Sequence, residues 1–430
     1  MKRQSKSICR IEHYFRIVRS SRFILLSLSV CFSVLFSHSQ VESAEVSFKP
    51  SIVLREEYDD NIFLTDDDRE SDYITRILPS FRIDYKTPFW DLNSDYTLNW
   101  WYYANLREGK SSHNLNLKSQ LRIIRNFLYL DMSDIYSSVV LNPRRPSTDI
   151  NLDVNRSDSN NALISPYVKY QINPVISLST GYRYTNIWYR RGDAVNRQMH
   201  TGYATVEYLY SRQLKTSLSA EYTDDRPESN PLDKPNNQTA VSVRAIYALN
   251  QRTDIDGSLG YRWIHFSDGR KKNMPVYNAL ITYRFHETGR VELTASSVFT
   301  PSPELGTLES RTGQFTIVYG KPFVINSSIF YRRDKYIESD QQDDTVGLTL
   351  GLEHKPNPRL TYKVSGRYEH VKFLPEKTKR DTYGASGEVS YMLTNRASIS
   401  LSYNHTRANG HLELDDYRDN IIAVRANITY

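Results

Sequence analysis

Apolar and polar residues alternate strictly along most of this chain of 430 residues, from Val46 to its last residue. In the segment 346–352, for example, valine or leucine occupies every even position, and glycine or threonine stands between them. Because successive side chains of a β-strand point to opposite faces of a sheet, this pattern predicts strands with one apolar and one polar face. No segment of comparable length shows the spacing of an amphipathic helix. The chain is therefore predicted to be all-β.

The links between the alternating segments also alternate in length. Links after even-numbered segments are short, as at 172–175, whereas most links after odd-numbered segments are long and polar, as at 59–72 and 141–160. Short turns at one rim and long loops at the other are typical of bacterial outer-membrane proteins, with the turns periplasmic and the loops extracellular. We predict a transmembrane antiparallel up-and-down β-barrel of about 20 strands, within a range of about 18 to 22. The predicted strands span residues 46–58, 72–86, 91–104, 112–124, 127–140, 161–172, 176–189, 198–211, 214–224, 237–249, 253–266, 275–286, 290–300, 309–320, 323–336, 344–355, 360–373, 381–393, 397–407 and 417–430.

The composition restricts the ways in which the chain can cross a membrane. Its mean hydropathy is −0.57, and charged residues make up 24% of it. Membrane helices each need about 20 mostly apolar residues, and the uniformly apolar run at 23–36 is shorter than that. A closed barrel places its apolar band in every second residue, so a low mean hydropathy is compatible with it. A soluble periplasmic β-protein, such as a β-helix or a sandwich, is the alternative fold.

Residues 1–44 are predicted to be a signal peptide, with cleavage between residues 39 and 44. The segment begins with a basic stretch, continues with the apolar run 23–36 and ends in small residues, which is the secretory pattern. Residues 45–430 are then the outer-membrane barrel domain. The predicted location is the outer membrane of a Gram-negative bacterium.

The predicted leader accounts for most of the net charge and for both cysteines. Its seven Lys and Arg residues and the two acids Glu12 and Glu42 leave +5, so the remaining chain carries 6 − 5 = +1. That small balance gives no indication of a nucleic-acid partner. Cys9 and Cys31 both lie in the leader, which excludes disulfides, zinc thiolate sites and cysteine nucleophiles from the barrel. No cofactor and no metal site is predicted.

Tyrosine and tryptophan cluster near the predicted strand ends, and tyrosine alone accounts for 32 residues. Their amphipathic rings suit the level of lipid headgroups, so they are predicted to form girdles at the two membrane surfaces. The rings in question are Trp100, Tyr102, Trp188, Tyr189, Tyr208, Tyr210, Tyr261, Trp263, Tyr331, Tyr336 and Tyr391.

The last predicted strand ends on an aromatic residue. Val424, Ala426, Ile428 and Tyr430 share its apolar face, which resembles the C-terminal signal read by the outer-membrane barrel assembly machinery. The predicted partners are therefore this machinery during insertion, and outer-membrane lipid and lipopolysaccharide afterwards.

Charged residues occupy mid-strand positions on the predicted polar face, and cations outnumber anions among them. Charge at the lipid midplane costs about 2 to 4 kcal/mol for each Arg or Lys, so these groups are predicted to face the lumen. Two roles are open: ladders of ion pairs that brace the wall, or a mild preference for anions or sugars in transit. The lumen-facing candidates are Arg82, Arg122, Arg183, Arg244, Arg262, Arg284, Arg332, Arg367, Arg425, Glu207, Glu221, Asp256 and Glu353.

Two of the long loops carry enough charge to suggest a function. The third loop has opposed charges that, if it folds inward, would form a constriction with a transverse field; the alternative is a loop exposed outside. Its charged residues are Arg144, Arg145, Asp149, Asp153, Arg156 and Asp158. The first loop is acidic and lacks the ligand spacing of an EF-hand, so a solvated loop is favoured over one that binds divalent cations. Its acids are Asp59, Asp60, Asp66, Asp67, Asp68, Glu70 and Asp72.

The segment 51–85 resembles the opening of the family described as putative β-barrel porin type 2, and of related outer-membrane proteins found beside exopolysaccharide export systems. The resemblance rests on a first strand that ends in Asp59, Asp60 and Asn61, on the entry of the second strand at Tyr73, and on Pro79 within that strand. It implies an outer-membrane barrel with a porin-like or polysaccharide-linked role, and it supplies no catalytic residues.

The favoured function is a porin-like, water-filled passage for hydrophilic solutes or for an exported polysaccharide, with polysaccharide or export components as further partners. A scaffold or adhesin barrel without conductance is the alternative. No enzyme activity is predicted, because no serine-centred motif accompanies the polar cluster near one rim. That cluster consists of His405, His411, Glu413, Asp415 and Asp416.

Overall fold

The computed structural model describes residues 44–145, 154–191, 194–228, 233–339, 341–410 and 416–430. The predicted signal peptide lies outside these ranges and stays a prediction. The strands are β1 (Glu45–Asp59), β2 (Asp72–Lys86), β3 (Trp90–Tyr103), β4 (Glu108–Ile124), β5 (Leu128–Val140), β6 (Arg156–Asn173), β7 (Ile176–Tyr189), β8 (Arg197–Leu209), β9 (Leu214–Pro227), β10 (Asn236–Asn250), β11 (Thr253–Phe266), β12 (Lys271–His286), β13 (Gly289–Ser302), β14 (Gly306–Tyr319), β15 (Phe323–Tyr336), β16 (Gln342–Asn357), β17 (Leu360–Leu374), β18 (Thr378–Thr394), β19 (Ala397–Gly410) and β20 (Tyr417–Thr429).

These strands form one closed, 20-stranded antiparallel barrel. Each strand pairs with its neighbours in the chain, and β1 also pairs with β20, in a register that runs from Ser51↔Thr429 to Asp59↔Ile421. Closure removes the free sheet edges, so every strand finds hydrogen-bonding partners on both sides. The prediction of an up-and-down barrel is confirmed, and the alternative of a β-helix or sandwich is wrong. Within the described ranges, no helix has the length and apolarity needed to cross a membrane.

The strands are longer at the loop rim than the alternation predicts. β4 begins at Glu108 rather than at 112, β6 at Arg156 rather than at 161, and β12 at Lys271 rather than at 275. Backbone pairing continues there, as in Trp101↔Lys110 between β3 and β4, although the added residues 108–111, 156–160 and 271–273 are charged, polar or glycine. Alternation disappears where neither face meets hydrocarbon, so the sequence pattern marks the apolar band rather than the end of the ladder. Several links predicted to be long are consequently short loops.

Two rows of side chains, one residue apart, show the two faces of the barrel wall. Ile281, Leu293, Phe315, Ile329 and Leu348 stand side by side across five strands, and all five are exposed. On each strand, a residue adjacent to the apolar one belongs to a polar row that also continues across the sheet. The residues of this polar row are Thr282, Glu292, Thr316, Ser328 and Thr349. A continuous, solvent-accessible apolar row on a protein surface is the band that lipid covers in a transmembrane barrel.

Moving one charge between these two rows tests which face meets lipid. We expect Phe315→Arg to destabilise the barrel by about 2 to 4 kcal/mol, because the guanidinium enters hydrocarbon. Thr316→Arg, one residue further along β14, is the matched control and should cost much less, since its side chain lies opposite Glu292 on the polar face. Urea unfolding of both variants in lipid vesicles measures the difference. Equal destabilisation by the two substitutions would contradict the assignment of faces.

Most aromatic residues predicted for the girdles lie exposed near strand ends on the apolar face. These are Trp100, Tyr102, Tyr208, Tyr210, Tyr261, Trp263, Tyr331 and Tyr391. Tyr189 and Tyr336 are exceptions, because both are buried. Their positions have the parity of the polar face, so their rings point inward and pack beneath the loops. The prediction of a girdle position was wrong for these two rings.

Candidate functional site: the lumen and its loop end

The polar face is the inner face of the barrel. Arg144 in the β5–β6 loop reaches Asp343 on the polar face of β16, about halfway round a ring of twenty strands. A loop can make that contact only by folding over the mouth of the barrel and into the space that the wall encloses. The polar rows therefore line the lumen.

All the predicted lumen-facing charges lie on strands where they alternate with apolar residues of the outer face. Five of them form ion pairs with residues of neighbouring strands: Arg82 with Asp95 (2.5 Å), Arg244 with Asp256, also in the predicted set (2.5 Å), Arg284 with Asp254 (2.6 Å) and Glu207 with Lys215 (2.8 Å). Arg122 pairs in the same way with Asp91, and Arg332, Arg367 and Glu353 pair with acids or lysines two residues along their own strands. These pairs favour the wall-bracing role for most of the set.

Four of the predicted charges form no ion pair with any described residue: Arg183, Arg262, Arg425 and Glu221. The Arg183 guanidinium lies 5.2 Å from the centre of the Tyr203 ring, and Arg262 donates to the side-chain oxygen of Gln238 at 2.9 Å. Together, these four residues carry a net charge of +2. A role in solute selection stays a prediction, and it rests on these residues rather than on the paired ones.

Arg144 fastens the β5–β6 loop to the opposite wall. Its Nε donates to Asp343 Oδ1 at 2.9 Å, its Nη1 to Glu376 Oε1 at 3.0 Å, and its Nη2 to the carbonyl oxygen of Leu374 at 2.8 Å. In return, Arg380 on β18 donates to the carbonyl oxygens of Arg144 and Pro143 at 3.0 and 3.1 Å. We call this set of contacts the latch. The latch connects two opposite sides of the lumen mouth through charge-assisted hydrogen bonds, which are stronger than hydrogen bonds between neutral groups.

Aromatic rings hold the Arg144 guanidinium in place. It lies 5.4 Å from the centre of the Phe373 ring and 6.0 Å from that of Tyr336, whose hydroxyl donates to Asp343 Oδ2 at 3.3 Å. Tyr336, Phe373 and Asp343 are all buried. Cation–π contacts strengthen when water is excluded, so these rings stabilise the loop in its inward position.

The other charged residues of the predicted constriction loop have different surroundings. Arg145 is exposed, and Asp149 and Asp153 fall outside the described ranges. Arg156 and Asp158 belong to β6: Arg156 donates to the carbonyl oxygen of Ser138, and Asp158 accepts from Tyr136 and pairs with Arg190. Arg144, at the start of this loop, reaches across the mouth; a constriction formed by the loop stays a prediction. Within its described part, Arg144 is the charged residue that crosses the mouth.

Other loops meet across the same end of the barrel. The backbone N–H of Val195, in the β7–β8 loop, donates to the carbonyl oxygen of Pro303 in the β13–β14 loop at 2.9 Å. Leu64 of the first loop packs with Ala408 and Tyr417, and Val154 of the β5–β6 loop contacts that cluster. The loop end is therefore narrowed from several sides.

A buried charge cluster lies under the β9–β10 loop. Arg197 on β8 is 1% exposed; its Nη1 donates to Asp225 Oδ2 on β9 at 2.7 Å, and its Nη2 donates to Asp233 in the loop. Both carboxylates are buried as well. The sequence did not point to this cluster, because Arg197 and Asp233 stand in polar stretches that look like solvated loops. Only the β8–β9–β10 pairing brings them together.

Docking of the β9–β10 loop should strengthen on mild acidification. Burial raises the pKa of Asp233 to about 6; Arg197 opposes this effect, and Glu338 and Asp225 add to it. A carboxyl whose pKa is higher when folded than when unfolded takes up a proton in the folded state, so stability rises as the pH falls from about 7 towards 5. Hydrogen exchange should show residues 233–236 better protected at pH 5 than at pH 7.5, after correction for intrinsic rates. Asp233→Asn should remove this pH dependence; unchanged dependence in that variant would contradict it.

The lumen wall on the side of the β1–β20 seam contains a cavity of about 480 Å³. Its charged lining residues are Arg55, Glu353, Lys363, Glu388 and Arg425, and the other lining residues are serine, asparagine, glycine, valine and leucine. Such a surface offers hydrogen bonds to hydroxyl groups and carries both signs of charge. It suits a hydrophilic molecule in transit better than an apolar ligand.

The structure describes only part of the predicted polar cluster near one rim. His405 Nδ1 lies 2.8 Å from Asn420 Oδ1, and Asp416 accepts from the backbone N–H of Gly410; His411, Glu413 and Asp415 fall outside the described ranges. His405 therefore contacts an amide rather than a nucleophile. The absence of enzyme activity stays a prediction.

The C-terminal strand lies at the seam. Val424, Ile428 and Tyr430 are exposed on its outer face, with Ala426 between them, and β20 is hydrogen-bonded to both β19 and β1. The apolar side chains are thus arranged as an assembly signal requires. Recognition by the assembly machinery stays a prediction.

One family model matches the chain, that of the family described as Putative beta-barrel porin 2, over residues 345–430. This stretch comprises most of β16 and the strands from β17 to β20. The predicted resemblance to this family is confirmed. The sequence features on which the prediction rests lie in β1 and β2, whereas the family match lies in the last strands. No curated protein matches the chain.

Solved structures with a similar fold are outer-membrane barrels of very different sequence. The G324V mutant of the ferric enterobactin receptor PfeA from Pseudomonas aeruginosa is 10% identical, with a TM-score of 0.50 over 91% of this chain and 81% of that one. The FrpB iron transporter from Neisseria meningitidis is 10% identical (TM-score 0.45; 89% and 81% covered). OpdK from Pseudomonas aeruginosa, solved with vanillate, is 11% identical (TM-score 0.42; 89% and 99% covered). The likeness to PfeA concerns the fold alone, and the chain is an outer-membrane β-barrel.

Proposed function

We propose that this barrel is a water-filled passage for hydrophilic solutes, narrowed at its loop end by the latch. The observation that carries the proposal is the Arg144–Asp343 contact, which joins two opposite sides of a lumen lined by polar side chains. A barrel of this size leaves an aqueous interior unless something fills it. The inward loop supplies a constriction that leaves the rest of the lumen wall exposed to water.

Passage of an exported polysaccharide is the second candidate. It is supported by the resemblance to barrels found beside exopolysaccharide export systems and by the hydroxyl-binding character of the cavity near the β1–β20 seam. A polymer would require the latch to open, whereas small solutes would pass beside it. The two candidates therefore differ in the state of the β5–β6 loop.

Conductance in planar bilayers and solute uptake into proteoliposomes test the passage. We expect stepwise single-channel currents and uptake of small sugars, with a size cutoff set by the latched loop. Uptake of short polysaccharides only after the latch is weakened would favour the export role. No conductance in either state would contradict the passage and would favour a scaffold or adhesin barrel.

A mild preference for anions is expected from the lumen charges that form no ion pair with any described residue. Arg183→Gln combined with Arg425→Gln should lower the anion-to-cation permeability ratio by about twofold, because rings of fixed charge select ions in pores. Reversal potentials in a salt gradient measure the ratio. Arg244→Gln with Asp256→Asn is the control, since it removes a complete ion pair and leaves the net charge unchanged. An equal shift in both double variants would contradict the assignment.

A further inference from the structure

Three carboxylates converge at the loop end of the seam where the barrel closes. Asp59 ends β1, Asp60 follows it, and Asp419 lies near the start of β20; one carboxylate oxygen of each lies within 4.8 Å of the others. Asp59 and Asp419 are each only 3% exposed. Closure of the barrel creates this group, because Asp419 lies 360 residues after Asp59 in the chain.

The hydrogen bonds around the group leave some of its oxygens without a partner. Asp59 Oδ1 accepts from the backbone N–H of Asn61 at 2.8 Å, and the two oxygens of Asp60 accept from the backbone and side-chain nitrogens of Asn420 at 2.6 Å each. Asp419 Oδ1 is buried and has no hydrogen-bond partner among the described residues. An unsatisfied carboxylate oxygen beside two further carboxylates is costly to bury.

Basic side chains do not neutralise the group. None of the three aspartates has a lysine or arginine within ion-pairing distance among the residues that the structure describes. The neighbouring guanidiniums of Arg55 and Arg76 both pair with a different acid, Glu57, at 2.7 and 2.5 Å. A cation from solution or a shared proton is therefore needed to offset the repulsion between the carboxylates.

The chemistry of the group fits a hard divalent cation. Every nearby ligand atom is oxygen, which is what Ca²⁺ and Mg²⁺ require, and carboxylates together with backbone carbonyls and water make up most Ca²⁺ sites. Ca²⁺ tolerates irregular geometry and six to eight ligands, whereas Mg²⁺ demands an octahedron and holds its water tightly. A site assembled from two strand ends and a loop suits Ca²⁺ better.

We propose that Asp59, Asp60 and Asp419 bind one Ca²⁺ ion, which fastens the first strand to the last at the loop end of the seam. The ion neutralises the carboxylates and satisfies Asp419 Oδ1. The other acids of the first loop take no part: Asp66, Asp67, Asp68 and Glu70 are exposed, and the buried Asp72 accepts hydrogen bonds from the backbone N–H groups of Asn105 and Leu106. The predicted solvated loop is thus divided into a buried cation site at its base and a solvated tip. This proposal does not depend on whether the lumen conducts.

The test uses the full-length barrel in a zwitterionic detergent free of lipopolysaccharide, after removal of metal with EDTA. Calorimetric titration with CaCl₂ should give one saturable site, and Ca²⁺ should raise the temperature at which the barrel loses its heat-modifiable migration on gels. MgCl₂ should bind more weakly. Asp419→Asn should weaken Ca²⁺ binding more than about tenfold, since one ligand charge is lost.

Two further variants make the test specific. Asp66→Asn with Asp67→Asn and Asp68→Asn removes three exposed acids from the same loop and should leave Ca²⁺ binding unchanged. Asp59→Asn is the second site variant, used if Asp419→Asn fails to fold. Binding that survives both site variants, or that the triple variant abolishes, overturns the proposal. A wild-type barrel that binds no Ca²⁺ overturns it as well. If Asp419→Asn is then more stable than the wild type, the carboxylates share a proton instead of binding a cation.

Discussion

Arg144→Ala is expected to raise the single-channel conductance about two- to threefold, because the loop that crosses the mouth loses its attachment to the opposite wall. The side chain donates hydrogen bonds to Asp343, Glu376 and the carbonyl oxygen of Leu374. Hydrogen bonds that involve charged groups contribute about 1.5 to 3 kcal/mol each. Loss of about 3 kcal/mol shifts an equilibrium between a docked and an undocked loop by more than a hundredfold.

Arg145→Ala is the matched control for this experiment. It removes the same charge from the same loop at the neighbouring position, but the Arg145 side chain is exposed and only its backbone takes part in the loop's hydrogen bonds. Its conductance should equal that of the wild type. Asp343→Asn should give an intermediate value, because the amide can still accept one hydrogen bond from Arg144. A folded Arg144→Ala barrel with wild-type conductance would show that the β5–β6 loop does not limit the current.

The barrel could be predicted from the sequence because its wall is a local pattern. β2, β7, β11 and β15 have the predicted bounds, since each strand alternates between hydrocarbon and water along its length. The parity of that alternation also placed the charged side chains on one face. Residue type misassigned Tyr336 to the girdle, whereas the parity of its position on β15 correctly points inward. The position of a residue in the alternation therefore predicts the face on which its side chain lies better than its residue type does.

The loop contacts could not be predicted, because they join residues with no common local pattern. Arg144 and Asp343 are 199 residues apart, and their contact depends on where a loop of β5 and β6 lands across the lumen. The contact between Asp59 and Asp419 could be predicted in part. Closure of the barrel places the first and last strands side by side, and that much was predicted. The register that brings the two carboxylates together was not, since a shift by two residues keeps both the backbone pairing and the two faces of the strand.

Arg197→Met is expected to destabilise the barrel by about 3 to 5 kcal/mol, which is the usual cost of leaving buried charge without its partner. The substitution keeps most of the side-chain volume and removes the guanidinium, so Asp225 and Asp233 remain buried beside each other. Repulsion between them and the loss of their hydrogen bonds should release the β9–β10 loop. Urea unfolding in lipid vesicles measures the change in the free energy of unfolding, and protease cleavage within 228–235 reports the release.

The comparison that separates repulsion from lost packing is the triple variant Arg197→Met, Asp225→Asn and Asp233→Asn. Replacing a complete buried ion network is often nearly neutral, whereas removing one partner is not, so the triple variant should recover most of the lost stability. Arg226→Ala, next to Asp225 in the chain, removes an exposed arginine that pairs with Asp224, and it should cost less than about 1 kcal/mol. If Arg197→Met costs no more than Arg226→Ala, water reaches the two carboxylates, and the loop must be held by its other contacts. If the triple variant is as unstable as the single one, the guanidinium acts by packing rather than by charge.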